Sequence, residues 1–195
     1  MTLLLPQLNL SDNLLCGLDY FGNGTYTAEG IIKIADALKV NGSLTSLSLA
    51  KNELGDDGAE ALSVGLKLNK SLTSLDLSGK GYGHGLIGPM GATALASAIA
   101  VMGSLTAVNL LSNGLDAESA ATLLKVKAEM PNVRTLCGLT HKETEIDQSQ
   151  RNLGPGDAML LASEIAVIAS LTSLDLCSNI PWGSSVGPAF AQALA

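Results

Sequence analysis

The sequence predicts an α/β fold assembled from repeated strand–turn–helix units, and three observations predict it. First, the stretch 44–71, LTSLSLAKNELGDDGAEALSVGLKLNKS, carries leucines at its first, fourth and sixth places, Asn52 at the ninth and Leu54 at the eleventh. Second, alternation over Leu47 and Leu49 is the period of a strand with one buried face. Beyond a Gly-Asp-Asp-Gly turn, Ala59, Leu62, Leu66 and Leu68 follow a helical period instead. Third, the same frame restarts near residues 5, 72, 105 and 171, with a degenerate pair at 133 and 143. A unit of 28 residues cannot bury its apolar face alone, so copies must stack into a single domain over 1–195.

Taken in order, the first unit places Leu5, Leu8, Leu10 and Asn13 in frame, then departs through a long turn, GLDYFGNGTYT, over 17–27. Its helix resumes at Ala28 and turns Ile31, Ile34, Ala35 and Leu38 inward before Asn41-Gly42 stops it. The third unit has Leu72, Leu75 and Leu77, but Lys80 takes the asparagine slot and an insert, GKGYGHGLIGP, precedes a helix from Met90. The fourth is regular, with Leu105, Val108, Leu110, Asn113 and Leu115. Residues 133–142 read as a strand with a truncated connection. The unit from Glu143 keeps Ile146 and Leu153 but has Gln148 and Arg151 in the leucine and asparagine slots, ahead of a helix over 157–169. The last unit shows Leu171, Leu174, Leu176 and Asn179, a third insert over 180–187, and a helix still running at Ala195, so the chain is expected to be incomplete at its C terminus.

The pattern L-x-x-L-x-L-x-x-N-x-L-G-x-x-G-A-x-x-L resembles the leucine-rich repeats of the ribonuclease-inhibitor type and covers nearly the whole chain. The resemblance implies a curved α/β solenoid, with a parallel β-sheet on the concave face and α-helices on the convex face. It also implies a protein-binding role, with regulation of a GTPase-type partner as a further possibility by family analogy. Its match lies in scaffold positions only, so it transfers no functional residue. The ninth-place asparagines fall where the backbone leaves the sheet, and an amide offers donors and acceptors to groups that lose their ladder there. Lys80 and Arg151 cannot accept a hydrogen bond, so irregular turns are expected at those two units.

Composition narrows the function. A net charge of -7 argues against binding a phosphate backbone, so no nucleic-acid partner is expected. Three scattered cysteines imply no disulfide framework and favour a reducing, intracellular compartment, with the cytoplasm the first expectation. The stretch 81–117 has Asp116 as its single charge, but Pro89, its glycines and the repeat frame argue against a transmembrane helix. Asn-x-Ser/Thr triplets at Asn9, Asn23, Asn41 and Asn69 read as repeat grammar rather than glycosylation sites.

The outward columns of the strands hold Gln7, Asn9, Ser11, Ser46, Ser48, Ala50, Ser74, Asp76, Ser78, Ala107, Asn109, Leu111, Ser173, Asp175 and Cys177. Lacking aromatics and arginine, that face is a poor epitope. Five of the six aromatic residues lie instead in the inserts: Tyr20, Phe21 and Tyr26 in the first, Tyr82 beside His84 in the second, and Trp182 in the third. All three inserts leave between strand and helix, and the first two stand about 10 Å apart, close enough to touch. These six residues, Tyr20, Phe21, Tyr26, Tyr82, His84 and Trp182, are the expected partner-binding set, with shielding of the solenoid edge the competing role.

No catalytic set is read. The glycines from Gly79 to Gly88 match neither dinucleotide nor P-loop spacing. Cys137 and His141 lack a second ligand pair, and neither histidine sits in a G-x-S-x-G setting. The chain is therefore expected to be a non-catalytic interaction scaffold without a cofactor or metal, binding a macromolecular partner through its aromatic inserts, its open solenoid ends or both. The alternative is a structural accessory subunit of a larger complex.

Overall fold

The computed structural model describes residues 5–19, 21–81 and 83–179. Among these residues six short strands alternate with five helices: β1 (Gln7–Asn9), α1 (Glu29–Val40), β2 (Ser46–Ser48), α2 (Gly55–Leu66), β3 (Ser74–Asp76), α3 (Pro89–Ile99), β4 (Ala107–Asn109), α4 (Ala117–Glu129), β5 (Glu145–Asp147), α5 (Pro155–Ile165) and β6 (Ser173–Asp175). Strands β1 to β4 form a parallel sheet in chain order. Its register aligns Leu8, Leu47, Leu75 and Val108 in one row. Each helix packs on the next, α1 on α2 through to α4 on α5. The approach of α1 and α2 is set by Gly65, where a Cβ would collide with the Ala35 backbone. None of the described helices is long and apolar enough to cross a membrane.

One apolar core runs from Cys16 to Ile168. The hydrogen-bonded ladder does not run as far. Residues 134–138 still bond to β4, through Arg134 N–H to Thr106, Val108 N–H to Thr135, Leu110 N–H to Leu136 and Gly138 N–H to Val108, with bridges at Ala107–Thr135 and Asn109–Cys137. The ladder ends there, and β5 pairs with β6 in a separate two-stranded sheet that aligns Ile146 with Leu174. The single unbroken strand row expected over Leu47, Leu75, Val108 and Leu174 is therefore two rows on one core. Other expectations shift locally. Leu68 lies beyond the end of α2 and is 57% exposed. Ala50 and Leu111, expected outward, are buried because the chain has already begun to turn out of the sheet.

That turn is built alike in most units. The eighth place is left-handed at Asp12, Lys51, Ser112, Gln150 and Ser178, with φ between 55° and 60°. The tenth place repeats this at Leu14, Glu53 and Asn152, and with glycine at Gly81. For side chains other than glycine the conformation costs about 1–2 kcal/mol each. The ninth-place asparagine amide offsets it, and it serves the turn before its own. Asn52 Oδ1 accepts from the N–H of Asn13 and Leu15, while its Nδ2 donates to the carbonyls of Leu10, Leu49 and Ala50. Asn113 donates to the carbonyls of Leu77 and Leu110. Asn179 donates to those of Gln148 and Leu176 and accepts from Arg151 and Leu153. The irregular turn expected at Arg151 is thus not found: Asn179 of the following unit ties it, and Gln150 and Asn152 keep the same φ as Lys51 and Glu53.

A second amide position follows the helices. Asn69, 1% exposed, donates to the carbonyls of Leu38 and Asn41 and accepts from the N–H of Ser71 and Leu72. Its side chain is wholly occupied inside the stack, which leaves no room there for a glycan.

Candidate functional site

The βα turns gather at the C-terminal ends of the strands, where open parallel sheets place their crevices. Here the turns of five units enclose a cleft of about 890 Å³, reached by Asp12, Asp19, Lys51, Asp76, Lys80 and Arg151 among other residues. Its walls therefore alternate in charge. At the floor the Lys80 ammonium lies 3.4 Å from Glu53 Oε1 and 3.6 Å from Asp12 Oδ1. Glu53 is almost buried, and that burial pushes its carboxyl above the ordinary range while Lys80 pulls it back. A lysine in the asparagine slot has thus turned from the backbone to the floor of the cleft.

The first insert forms one lip. It closes on itself through an antiparallel bridge between Leu18 and Gly24, organised by Asp19. The Asp19 carboxylate accepts from the N–H of Phe21 and Asn23 and from Asn23 Nδ2. Those bonds, the Asn23 side chain first, hold its carboxyl below the ordinary range. Phe21, at the tip of this small closed loop, is 78% exposed. Behind it Gly22 (φ 79°) sits against the imidazole of His84, where any Cβ would overlap the ring. The first and second inserts therefore meet. The second also reaches the β5–α5 turn, with Gly81 packed on Arg151 and Asn152.

Of the six residues singled out by sequence, Phe21 and His84 lie in the two inserts that meet beside the cleft, where Gly22 packs on the His84 ring. Tyr26 lies deeper: its hydroxyl donates to the Leu54 carbonyl and accepts from the Gly58 N–H, fastening the start of α2. Burial raises its phenol to about 12. Tyr20, Tyr82 and Trp182 lie outside the described residues. Sequence reasoning missed the charged floor. The signal was Lys80 out of frame, together with acidic residues at the left-handed places, Asp12 and Glu53.

The Cys137–His141 pair resolves into a fold contact. His141 Nε2 lies 3.3 Å from Glu164 Oε2, and Cys137 is buried, its thiol pushed well up by desolvation. Among the described residues no group of three or more His, Cys, Asp or Glu is placed to hold a metal ion.

No protein-family profile matches the chain, and no curated protein matches it in sequence. Among solved structures it is similar to leiomodin-1 actin-binding site 2, with a TM-score of 0.44 and 18% identity over 97% of this chain and 78% of that one. It is similar as well to the tropomodulin C-terminal domain of Caenorhabditis elegans, with a TM-score of 0.45 and 14% identity over 97% and 82%. Likenesses of this degree carry no argument about what the chain binds.

Proposed function

We propose that the chain is a non-catalytic protein-interaction module, a leucine-rich-repeat solenoid that engages a macromolecular partner along its strand-to-helix rim. The observation that carries this reading is the rim itself: Phe21 held out on a closed loop beside a mixed-charge cleft. An exposed aromatic on a preorganised loop gains contact area at little entropic cost, and flanking charges set orientation and encounter rate. The partner on this reading is a protein, within the cell. Affinity capture with wild type, Phe21→Ala/His84→Ala and the sheet-face control Ser46→Ala tests it. A protein held by wild type and control, and lost from the rim variant at unchanged melting temperature, is the expected result. Equal capture by all three would refute the rim.

One observation favours a second reading, a structural subunit held permanently in a larger complex. The outer surface of α2 and α3 has an apolar groove of about 620 Å³, with Val64 half exposed and Met90 71% exposed. Loss of the captured protein from a Met90→Glu variant rather than from the rim variant would favour it.

A further inference from the structure

The turn after β2 has two backbone donors whose counterparts in the first unit and in the unit of β5 are paired. In the first unit the N–H groups of Asn13 and Leu15 converge on Asn52 Oδ1 at 3.0 and 3.2 Å. In the unit of β5 those of Arg151 and Leu153 converge on Asn179 Oδ1, each at 3.1 Å. The corresponding donors in the second unit are the N–H groups of Asn52 and Leu54. The side chain due to accept from them is that of residue 80, a lysine, which has donors only. Asn52 is 1% exposed and Leu54 4%, and among the described residues no acceptor meets either N–H. A buried main-chain donor is rarely left unpaired.

At this place lies a small cavity of about 10 Å³, with Leu49, Asn52, Glu53, Leu54, Leu77 and Gly79 in its wall. About 10–15 Å³ of such space is what one water molecule needs. An asparagine amide in the slot would also have donated to the carbonyls of Leu49 and Leu77, as Asn113 does to those of Leu77 and Leu110. Those two carbonyls already accept from Asn52 Nδ2 and Asn113 Nδ2, and each keeps a second lone pair. The pocket thus offers two donors and two carbonyls able to accept once more, the complement of a water molecule. An anion suits it less. The volume is too small for a larger ion, and the nearly buried Glu53 is part of the wall.

We propose that the pocket beneath Lys80 is a binding site for one structural water, which takes the place of the missing asparagine carboxamide. The water accepts from Asn52 and Leu54, keeps the left-handed turn at Lys51 and Glu53 tied, and leaves residue 80 to carry a charge at the cleft floor. This holds whichever partner the rim recognises.

Water-selective NMR on the intact protein tests it. Cross-peaks from a long-lived water to the amide protons of Asn52 and Leu54, and none to those of Asn13 and Leu15, are expected. In Lys80→Asn the two cross-peaks should vanish as the carboxamide enters the slot. Absent cross-peaks in wild type, or equal ones at Asn13 and Leu15, would overturn the site. A crystal soaked in bromide gives an independent readout: anomalous density between the two N–H groups would assign an anion instead, and a density peak without anomalous signal would assign water. Both measurements decide on wild type even if the variant does not fold.

Discussion

The first four units and the fifth solve one problem by different means. From β1 to β4 the main chain is tied to its neighbours by a parallel ladder and by neutral asparagine amides. After residues 134–138, which still bond to β4, the ladder fails, and carboxylates on α5 take over. Buried Glu164 accepts from the Leu136 N–H, from Thr135 Oγ1 and from Lys127 Nζ. Thr135 Oγ1 in turn accepts from the N–H groups of Cys137 and Leu139. Asp157 accepts from Ser112 in the fourth turn and from Gly154 at the start of its own helix. A worn repeat stays in the stack by keeping main-chain pairing to β4 on one side and exchanging it for buried charge on the other. Such ties are strong when whole and costly when half removed.

Removing one member should show this most sharply. Glu164→Ala leaves Lys127 and two buried donors without their acceptor and is expected to cost about 3–5 kcal/mol in urea denaturation. It should also split the transition, as the units beyond residue 140 lose their hold on the first four. A single unshifted transition would show that the apolar core alone joins the two parts.

The second carboxylate makes the junction sensitive to pH. Burial raises Asp157 to about 7 from an ordinary 3.8. Between those values the folded chain holds a proton that the unfolded chain has released. Stability therefore falls as pH rises through the window, by about 1.4 kcal/mol per unit at most, and levels off above it. Exposed carboxylates held low, such as Asp116, pull the other way, so the test is the difference between wild type and Asp157→Asn. That difference should shrink toward low pH and grow toward neutrality.

In the regular part, Asn52→Ala unpairs the N–H groups of Asn13 and Leu15 and should cost about 1–3 kcal/mol by thermal melting without splitting the transition. The smallest effect is a gain. Gln148 occupies a leucine place with its Oε1 buried and unpartnered. Gln148→Leu is expected to stabilise the fifth unit by about 1 kcal/mol, making it more like its neighbours.

The repeat frame, the helices and the inward rows at Leu47, Leu75 and Val108 were legible because apolar periodicity is written in residue type. So was the meeting of the first two inserts, which needed only strand spacing. The ladder break was not. Residues 133–142 looked like a strand, and no local signal shows that a glutamate 28 residues beyond Leu136 takes the place of a neighbouring strand. Left-handed backbone at Leu14, Lys51 and Glu53 was equally hidden, since none of these residues prefers it. The charged cleft was half visible: Lys80 stood out of frame, but its Asp12 and Glu53 partners come together only through that unannounced turn geometry. Tyr26 could not be sorted from Phe21 by sequence, because whether a ring is fastened or presented depends on where its hydroxyl finds a carbonyl.

Because each amide fastens the bend upstream of it, dependence within the array has a direction. A fragment cut cleanly at the end of a helix keeps that unit's apolar packing and loses the tie for its own bend, whereas a cut beyond the next strand's asparagine keeps both. Anyone excising, permuting or lengthening this array should count modules from bend to amide rather than from strand to helix.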